Sequence, residues 1–345
     1  MSITLWVWLQ FVACAGVIGA AGFHLSRQGD AIARHTGLSG SWIGLTLVAS
    51  VTSLPELATG LTSVTIAQAP NLAVGNALGS CVLNLAFLVL IDLLHRKEPV
   101  WRRANRGHVL AAGFGIVLLG FLLLGLLLGQ LAPQGRDASL ARVGNMGLMT
   151  PIMLALYLIA MRTVFSYERD HPQPADDSAQ TDPPLAPPLR QAVLRFALAA
   201  GVVVAAGLWL PFAATQLADA MQWNRSFVGS LFVALATTLP ELAVTVSALR
   251  IGALDMAIGN LLGSNLFNVT IVAVEDLFYR PGVLLAHVSL VHAATATSAI
   301  VMTGLAVVGL FFRPQGRVLR AVGAVSLGLV AVYLLNTYVI FLHGA

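Results

Sequence analysis

The sequence predicts an all-α polytopic membrane protein of ten transmembrane helices, built as two five-helix repeats that are inverted relative to each other. Three observations predict this class. Hydrophobic residues make up 57% of the chain and charged residues only 10%. Ten segments are long and apolar enough to cross a bilayer, and two sequence blocks of the first half return in the second. A soluble domain carries about a quarter charged residues, so the bilayer is the expected solvent of this chain.

The apolar segments are assigned first, since a helix needs about 20 apolar residues to cross the hydrocarbon core. Ten segments reach or approach that length. Their predicted bounds are 4–25, 41–67, 70–94, 108–129, 143–164, 191–217, 226–249, 253–278, 286–311 and 318–342. Cys14 and Cys81 fall inside apolar runs, and we expect them to be small buried residues without a disulfide or metal role.

A polar segment from Ser166 to Arg190 divides the ten segments into five and five. It contains six prolines and five acids, and such a composition cannot bury enough surface to fold. We therefore predict three parts: a first repeat over 1–165, a flexible linker over 166–190 and a second repeat over 191–345.

The positive charges predict the orientation in the membrane. Of the 19 Lys and Arg residues, 15 lie in or beside the connections 1–2, 3–4, 5–6, 7–8 and 9–10, and 4 lie on the opposite side. Positive connections stay cytoplasmic, so both termini are expected outside an inner membrane and the linker in the cytoplasm. Because the basic residues stand between apolar runs, the net charge of +4 does not indicate a nucleic-acid partner.

Two blocks repeat between the halves. WIGLTLVASVTSLPE at 42–56 and FVGSLFVALATTLPE at 227–241 share seven of fifteen positions, and VGNALGSCVLN at 74–84 and IGNLLGSNLFN at 258–268 share six of eleven. Since each half holds an odd number of spans, the second copy enters the membrane from the opposite side. Pro55 and Pro240 interrupt their helices, and a bound cation can satisfy the carbonyls freed there.

Two glutamates are the candidate functional residues. Glu56 and Glu241 are the only acids that the sequence places deep within the spans, and an acid in that position is a functional-site hypothesis by default. Thr52 and Thr237 precede them by four residues. The other acids of the spans lie near the predicted span ends, where an exposed role is expected: Asp92, Asp219, Asp255, Glu275 and Asp276.

The next helix of each half adds a stripe of short polar side chains. Residues spaced by four share one helix face: Asn76, Ser80 and Asn84 in the first half, and Asn260, Ser264 and Asn268 in the second. Hard cations take oxygen ligands, and Ca2+ takes six to eight of them. Two glutamates would neutralise one Ca2+, and the neutral oxygens suit Na+, which has a similar size.

These blocks resemble the two α-repeats of the cation/calcium exchanger superfamily, and its sodium/calcium exchanger branch in particular, over motifs 42–84 and 227–268. The resemblance implies exchange of Ca2+ for Na+ by alternating access, with the first and sixth helices sliding past a central core. It implies that Glu56 and Glu241 bind Ca2+ together with the backbone carbonyls of Thr52 and Thr237. The Na+ ligands that it implies are Ser53, Thr238, Ser80 and Ser264, with the carbonyls of Ala49 and Ala234. Asn84 and Asn268 would border the centre.

The sequence departs from the family pattern at two positions. Asn268 stands where many members carry Asp, and Cys81 stands where Asn is common. K+ dependence is therefore not expected, and the Na+ stoichiometry cannot be carried over. The proton-coupled branch usually carries a glutamate in a GNxxE motif, and its absence here favours Na+.

Several alternatives stay open. A Ca2+/H+ antiporter or an antiporter for another divalent cation would use the same residues, and a cation channel is less favoured because an inverted repeat within one chain fits a carrier. The spans contain no HExxH or GxSxG motif, so an enzyme is not expected. No cofactor is expected beyond the transported ions. The expected partners are membrane lipid and inorganic cations, and the protein is expected to function as a monomer.

Overall fold

The chain folds almost entirely into helices. The computed structural model describes residues 3–36, 48–94, 100–104, 107–131, 142–144, 146–170, 187–250, 254–313 and 323–343. The α-helices are α1 (Ile3–Thr36), α2 (Ala49–Thr52), α3 (Leu54–Thr65), α4 (Pro70–Leu94), α5 (Val100–Arg103), α6 (His108–Leu131), α7 (Met149–Asp170), α8 (Leu189–Met221), α9 (Arg225–Phe227), α10 (Ala234–Thr237), α11 (Leu239–Arg250), α12 (Leu254–Phe278), α13 (Val291–Phe312) and α14 (Ala324–His343). A π-helix, Val228–Val233, joins α9 to α10, and Leu284–Ala286 form a 3-10 turn.

Eight of the described helices are long and apolar enough to cross a membrane: α1, α4, α6, α7, α8, α12, α13 and α14. A ninth candidate is the pair Arg225–Thr237 and Leu239–Arg250, which bends by 44° at its break. In the first half, α2 and α3 form a similar broken pair, but residues 41–47 of that predicted span lie outside the described residues. The total of ten spans therefore stays a prediction.

Several predicted boundaries differ from the structure; for example, α1 continues to Thr36 instead of ending near residue 25. The predicted span 143–164 does not begin as a helix, because Arg142–Val143 (β1) and Met146–Gly147 (β2) form a short antiparallel hairpin and α7 starts at Met149. The polar segment assigned to 166–190 includes the last turn of α7 and the first residues of α8. Its residues 171–186 lie outside the described part of the chain.

Helices α4 and α12 form the centre of the molecule. They pack against each other, and α3 and α11 pack against both of them. Within their apolar windows, 72% of α4 and 89% of α12 is buried, against 28% for α1 and 22% for α8. The long helices α1 and α8 lie together at the outside and contact the central group through α11 and α3. This arrangement encloses the two repeated motifs, which lie on the central helices.

Two glycines bring the outer helices close to the interrupted ones. A Cβ at Gly22 of α1 would lie 2.6 Å from the Cβ of Pro240, and a Cβ at Gly207 of α8 would lie 2.9 Å from the Cβ of Ala58. Both approaches are too close for any side chain larger than hydrogen. The outer helices α1 and α8 therefore contact the interrupted helices α11 and α3 directly beside the helix breaks.

Asp92 lies at the end of α4 and is completely buried. Its Oδ1 accepts a hydrogen bond from the Val100 backbone N–H at 3.3 Å. Its Oδ2 accepts hydrogen bonds from the Gly323 N–H at 2.8 Å and the Ser326 hydroxyl at 2.6 Å. The carboxylate thus connects the end of α4 to the first turn of α14, whose N–H groups need acceptors.

Asp276 makes the same connection at the end of α12. Its Oδ1 accepts a hydrogen bond from the Leu284 N–H at 2.7 Å. Its Oδ2 accepts hydrogen bonds from the Gly147 N–H at 2.9 Å and from the Thr150 hydroxyl in the first turn of α7. In both halves the backbone partner is eight residues further along the chain, so Asp92 and Asp276 are equivalent.

The expectation of exposed acids at the span ends is therefore wrong for three residues. Asp92 and Glu275 have 0% and Asp276 has 2% of their surface exposed. The physical reason is that α4 and α12 are covered at their ends by other parts of the chain, so a position near a span end is not a position in water. The expectation is confirmed for Asp219, whose side chain is 68% exposed.

Candidate cation-binding site

The two interrupted helices are broken at equivalent residues. Between α2 and α3, Ser53 has φ −86° and ψ 9°, and between α10 and α11, Thr238 has φ −82° and ψ 3°. Both lie outside the helical region. Pro55 and Pro240 follow as the second residue of the next helix, where the missing N–H of proline costs no intrahelical hydrogen bond. The predicted helix breaks are confirmed.

The two candidate glutamates lie in the first turn after the breaks. Glu56 and Glu241 are the third residues of α3 and α11, and both have 0% of their surface exposed. A helix N-terminus favours a negative charge. Ser53, three residues before Glu56, contacts the Glu241 carboxylate, so a positive charge between the two carboxylates would be stabilised by both.

Serine hydroxyls bind one oxygen of each carboxylate. The Glu241 Oε1 accepts hydrogen bonds from Ser53 at 3.0 Å and from Ser264 at 3.4 Å. The Glu56 Oε1 accepts a hydrogen bond from Ser80 at 3.4 Å. Ser80 and Ser264 belong to the predicted polar stripes on α4 and α12, and Ser53 reaches from the first half of the chain to the second.

Two asparagines hold the glutamate backbones against the central helices. The Asn76 side chain donates to the Glu56 carbonyl, and Asn260 donates to the Glu241 carbonyl, each at 3.5 Å. The Thr237 hydroxyl donates to the Asn76 Oδ1 at 2.9 Å. The first position of each polar stripe is therefore used for positioning, a role that the sequence pattern alone did not assign.

Two other predicted ligands bond within their own helices. The Thr52 hydroxyl donates to the Ala49 carbonyl at 3.1 Å, and the Thr238 hydroxyl donates to the Ala234 carbonyl at 2.7 Å. Each carbonyl oxygen also accepts a backbone hydrogen bond, Ala49 from the Ser53 N–H at 3.1 Å and Ala234 from the Thr238 N–H at 2.9 Å. These contacts fix the last turn before each break, which brings the carbonyl oxygens to the end of their helix.

The centre of the site contains an asparagine contact that exists on one side only. The Asn84 amide donates to the Asn265 Oδ1 at 3.1 Å. The equivalent contact would join Asn268 to residue 81, but this is Cys81, whose thiol makes only a long contact with the Asn265 carbonyl at 3.8 Å. The Asn268 amide has no partner on either atom within the described residues. Asn265, which the sequence reasoning missed, could have been found as the position equivalent to Cys81.

Several buried oxygen atoms of this region have no hydrogen-bond partner among the described residues. Among the described residues, five buried acceptors of this region have no hydrogen-bond donor: Glu56 Oε2, Glu241 Oε2, Asn84 Oδ1, Asn260 Oδ1 and Asn268 Oδ1. Buried polar atoms in folded proteins nearly always have a partner. Oxygens of carboxylates and amides are the ligands of hard cations, so these five atoms are candidate cation ligands.

All the residues proposed from the sequence lie on the two interrupted helix pairs, α2–α3 and α10–α11, or on α4 and α12. Each has at most 1% of its surface exposed: Ala49, Thr52, Ser53, Glu56, Ser80, Asn84, Ala234, Thr237, Thr238, Glu241, Ser264 and Asn268. The structure describes no group of three or more His, Cys, Asp or Glu residues that could hold a metal ion. The donor set therefore consists of two carboxylates with neutral oxygens around them.

Comparison with known proteins identifies the family. A family model described as sodium/calcium exchanger protein matches residues 6–166 and 191–339. The chain belongs to this family. It is accordingly an integral membrane protein that transports inorganic cations by cation/calcium antiport, and it is not an enzyme.

Named relatives and solved structures agree with this assignment. The chain is 25% identical over 274 residues to the sodium/calcium exchanger MaX1 of Methanosarcina acetivorans, covering 73% of this chain and 77% of the relative. It is 29% identical over 240 residues to the inner membrane protein YrbG of Escherichia coli, covering 70% of each. Its fold is similar to that of the sodium-calcium exchanger NCX_Mj, with a TM-score of 0.62 at 20% identity, over 97% of this chain and 99% of the other.

Proposed function

We propose that this protein exchanges Ca2+ for Na+ across the membrane by alternating access, with Ca2+ bound between Glu56 and Glu241. One observation carries the proposal. Two buried carboxylates lie at equivalent helix breaks, and each has one oxygen bound by a serine and one oxygen without a donor in the described structure. An uncompensated carboxylate inside a membrane is costly, so this pair requires positive charge.

Charge and ligand number favour Ca2+. Two carboxylates balance the charge of one Ca2+. Its six to eight oxygen ligands can be supplied by the glutamates and by carbonyls and amides of α4, α12 and the two interrupted helix pairs. Thr52 and Thr237, each four residues before a glutamate, would add their backbone carbonyls.

Na+ is the proposed counter-ion. The hydroxyls of Ser53, Thr238, Ser80 and Ser264 and the carbonyls of Ala49 and Ala234 would supply its ligands. Competition of the two ions for one site of two negative charges is sufficient for exchange, if the site opens to one side of the membrane at a time. The GNxxE glutamate of proton-coupled exchangers is absent from this sequence, and one relative is named a sodium/calcium exchanger.

The architecture that we propose is ten spans in two inverted repeats, 1–165 and 191–345, joined by a cytoplasmic linker. Both termini would lie outside the inner membrane, and the protein would work as a monomer in lipid. Equivalent residue pairs support the repeat: Asp92 with Asp276, and Gly22 with Gly207. Their separations of 184 and 185 residues equal those of the two motif blocks.

Two other cation couplings use the same site. A Ca2+/H+ antiporter would protonate the glutamates in exchange for Ca2+, and another divalent cation such as Mn2+ could take the place of Ca2+. Mg2+ is less suitable because it releases its water reluctantly. A channel would need a continuous path, and the enclosure of the site by α4 and α12 favours a carrier.

Equilibrium Ca2+ binding to the purified protein tests the site. Isothermal titration should give one Ca2+ per chain, and Glu56→Gln and Glu241→Gln should each weaken binding by on the order of 100-fold, because half of the charge of the site is removed. Asp219→Asn removes an exposed acid and should bind as the wild type does. Unchanged binding in either glutamine variant would exclude this site.

A further inference from the structure

Glu275, in the last turn of α12, is a buried acid that the exchange site does not use. It has 0% of its surface exposed, and neither carboxylate oxygen has a hydrogen-bond partner among the described residues. Its neighbour Asp276 differs completely, since three donors bind that carboxylate. In the sequence both acids lie near the same predicted span end. Only the structure shows that their surroundings differ.

The side chain of Glu275 lies against α3. A Cβ at Gly60 would overlap the Glu275 Oε1, so the carboxylate occupies the space that the absent side chain leaves. Gly60 follows Glu56 by one helical turn on α3, and Glu275 follows Asn268 by seven residues on α12. Residues at these spacings share a helix face. The carboxylate therefore lies on the same α3–α12 interface as the candidate site, about 6 Å further along α3.

The first half of the chain has no acid equivalent to Glu275. The position that matches Glu275 is Ile91, and the position that matches Gly60 is Thr245. Every other buried acid of α3, α4, α11 and α12 has an equivalent acid: Glu56 with Glu241, and Asp92 with Asp276. Glu275 thus adds one negative charge to one end of the site only.

No fixed positive charge balances Glu275 in the described structure. The buried titratable side chains on the described helices packed against α12 are Glu56, Cys81, Asp92, His108 and Glu241. His108 contacts Asp255, Cys81 is a thiol, and the other three are acids. A carboxylate transferred from water into apolar surroundings without a partner is strongly disfavoured, so a mobile positive charge must accompany it.

We propose that Glu275 is a further cation-exchange site that binds one positive charge, a proton or a sodium ion, next to the Glu56–Glu241 site. One carboxylate carries one negative charge and cannot by itself neutralise Ca2+ or supply its six to eight ligands, so a singly charged ion is the matching class. This proposal rests on the proposed function, because it takes the ion path from it. It adds to that path, at one end, one binding position for a singly charged ion.

Two binding measurements on the detergent-purified full chain test this site. The first counts Na+ bound per chain at fixed pH with 22Na+. The second counts protons released into weakly buffered solution when Ca2+ or Na+ is added. Glu275→Gln should reduce one count by about one per chain, the Na+ count if the ligand is sodium and the proton count if it is a proton. Ca2+ affinity should stay within about threefold of the wild type, since one carboxylate outside the Ca2+ ligand set is changed.

The controls separate this proposal from the exchange function. Asp219→Asn removes an exposed carboxylate and should leave both counts unchanged. Glu275→Leu replaces the unpartnered acid by an apolar side chain, so it should keep or raise the unfolding temperature and serves if the Gln variant does not fold. Wild-type counts in folded Glu275 variants would overturn the proposal. Absence of Ca2+ binding in the wild type would instead contradict the proposed function. In that case the difference in Na+ or proton counts between the wild type and the Glu275 variants would still decide the role of Glu275.

Discussion

The Ser53 hydroxyl donates a 3.0 Å hydrogen bond to the Oε1 of Glu241, 188 residues further along the chain. This contact connects the helix break of the first half to the carboxylate of the second. The equivalent residue Thr238 does not return it, since its hydroxyl donates to the Ala234 carbonyl at 2.7 Å. The two glutamates are therefore held differently, although the sequence motifs around them are nearly the same.

This difference predicts unequal effects of two equivalent substitutions. Ser53→Ala should weaken Ca2+ binding by about tenfold or more, because a hydrogen bond to a charged group contributes about 1.5–3 kcal/mol. Thr238→Val removes a hydroxyl that does not bond to a glutamate and should have a smaller effect. Titration calorimetry on both variants measures the difference, and equal losses would contradict the structure.

A second prediction concerns the missing partner of Asn268. Cys81→Asn should give the Asn268 amide an acceptor, as Asn265 does for Asn84. The new hydrogen bond should stabilise the protein by about 1 kcal/mol. Thermal unfolding followed by tryptophan fluorescence should show a higher midpoint for Cys81→Asn than for the control Cys81→Ala. Equal midpoints would show that the two halves are not equivalent at this place.

The buried aspartates should matter for stability more than for binding. Asp92→Asn and Asp276→Asn each replace an oxygen that accepts backbone N–H groups by an amide that can donate. Leaving buried donors unpaired costs about 1–3 kcal/mol per group, so both variants should unfold at clearly lower temperature. The exposed Asp219→Asn is the control.

Neither aspartate touches the candidate site, so Ca2+ should still bind in a 1:1 ratio to whatever fraction of these variants is folded. A normal unfolding temperature for Asp92→Asn or Asp276→Asn would mean that these carboxylates do not hold the ends of α4 and α12.

The close contacts of α1 and α8 predict a kinetic effect. Gly22→Ala and Gly207→Ala place a methyl group against Pro240 and Ala58, and such overpacking costs about 1–3 kcal/mol. If these helices slide during exchange, the rate of Ca2+ exchange should fall by about tenfold while equilibrium Ca2+ affinity changes little.

Matched controls exist on the same helices. A Cβ at Gly16 of α1 or at Gly201 of α8 meets nothing within 4 Å, so Gly16→Ala and Gly201→Ala should exchange at the wild-type rate. Equal slowing in all four variants would point to helix rigidity rather than to the contact with α3 and α11.

The sequence predicted the site better than its surroundings. The repeated motifs gave the positions of Glu56 and Glu241 and of the helix breaks, because proline and an acid inside an apolar segment have few structural explanations. The burial of all twelve proposed residues follows from their place on α4 and α12 and on the interrupted helices packed against them. Their roles as ligands remain proposals.

The features that could not be predicted from the sequence depend on contacts between distant segments. Hydropathy places Asp92, Glu275 and Asp276 near span ends, but it cannot show that the first turns of α14 and α7 cover those ends. The unequal roles of Ser53 and Thr238 depend on which of two acceptors each hydroxyl reaches. Both questions are decided by packing, which local sequence patterns do not contain.

Ca2+ uptake into proteoliposomes tests the central claim most directly. Vesicles that contain the purified protein would receive 45Ca2+ under an outward Na+ gradient, an outward H+ gradient or no gradient, with Glu56→Gln and Glu241→Gln as inactive controls. We expect uptake under the Na+ gradient only and none in either variant. Uptake without a counter-ion gradient, or uptake that survives in both glutamine variants, would contradict Na+-coupled exchange at the Glu56–Glu241 site.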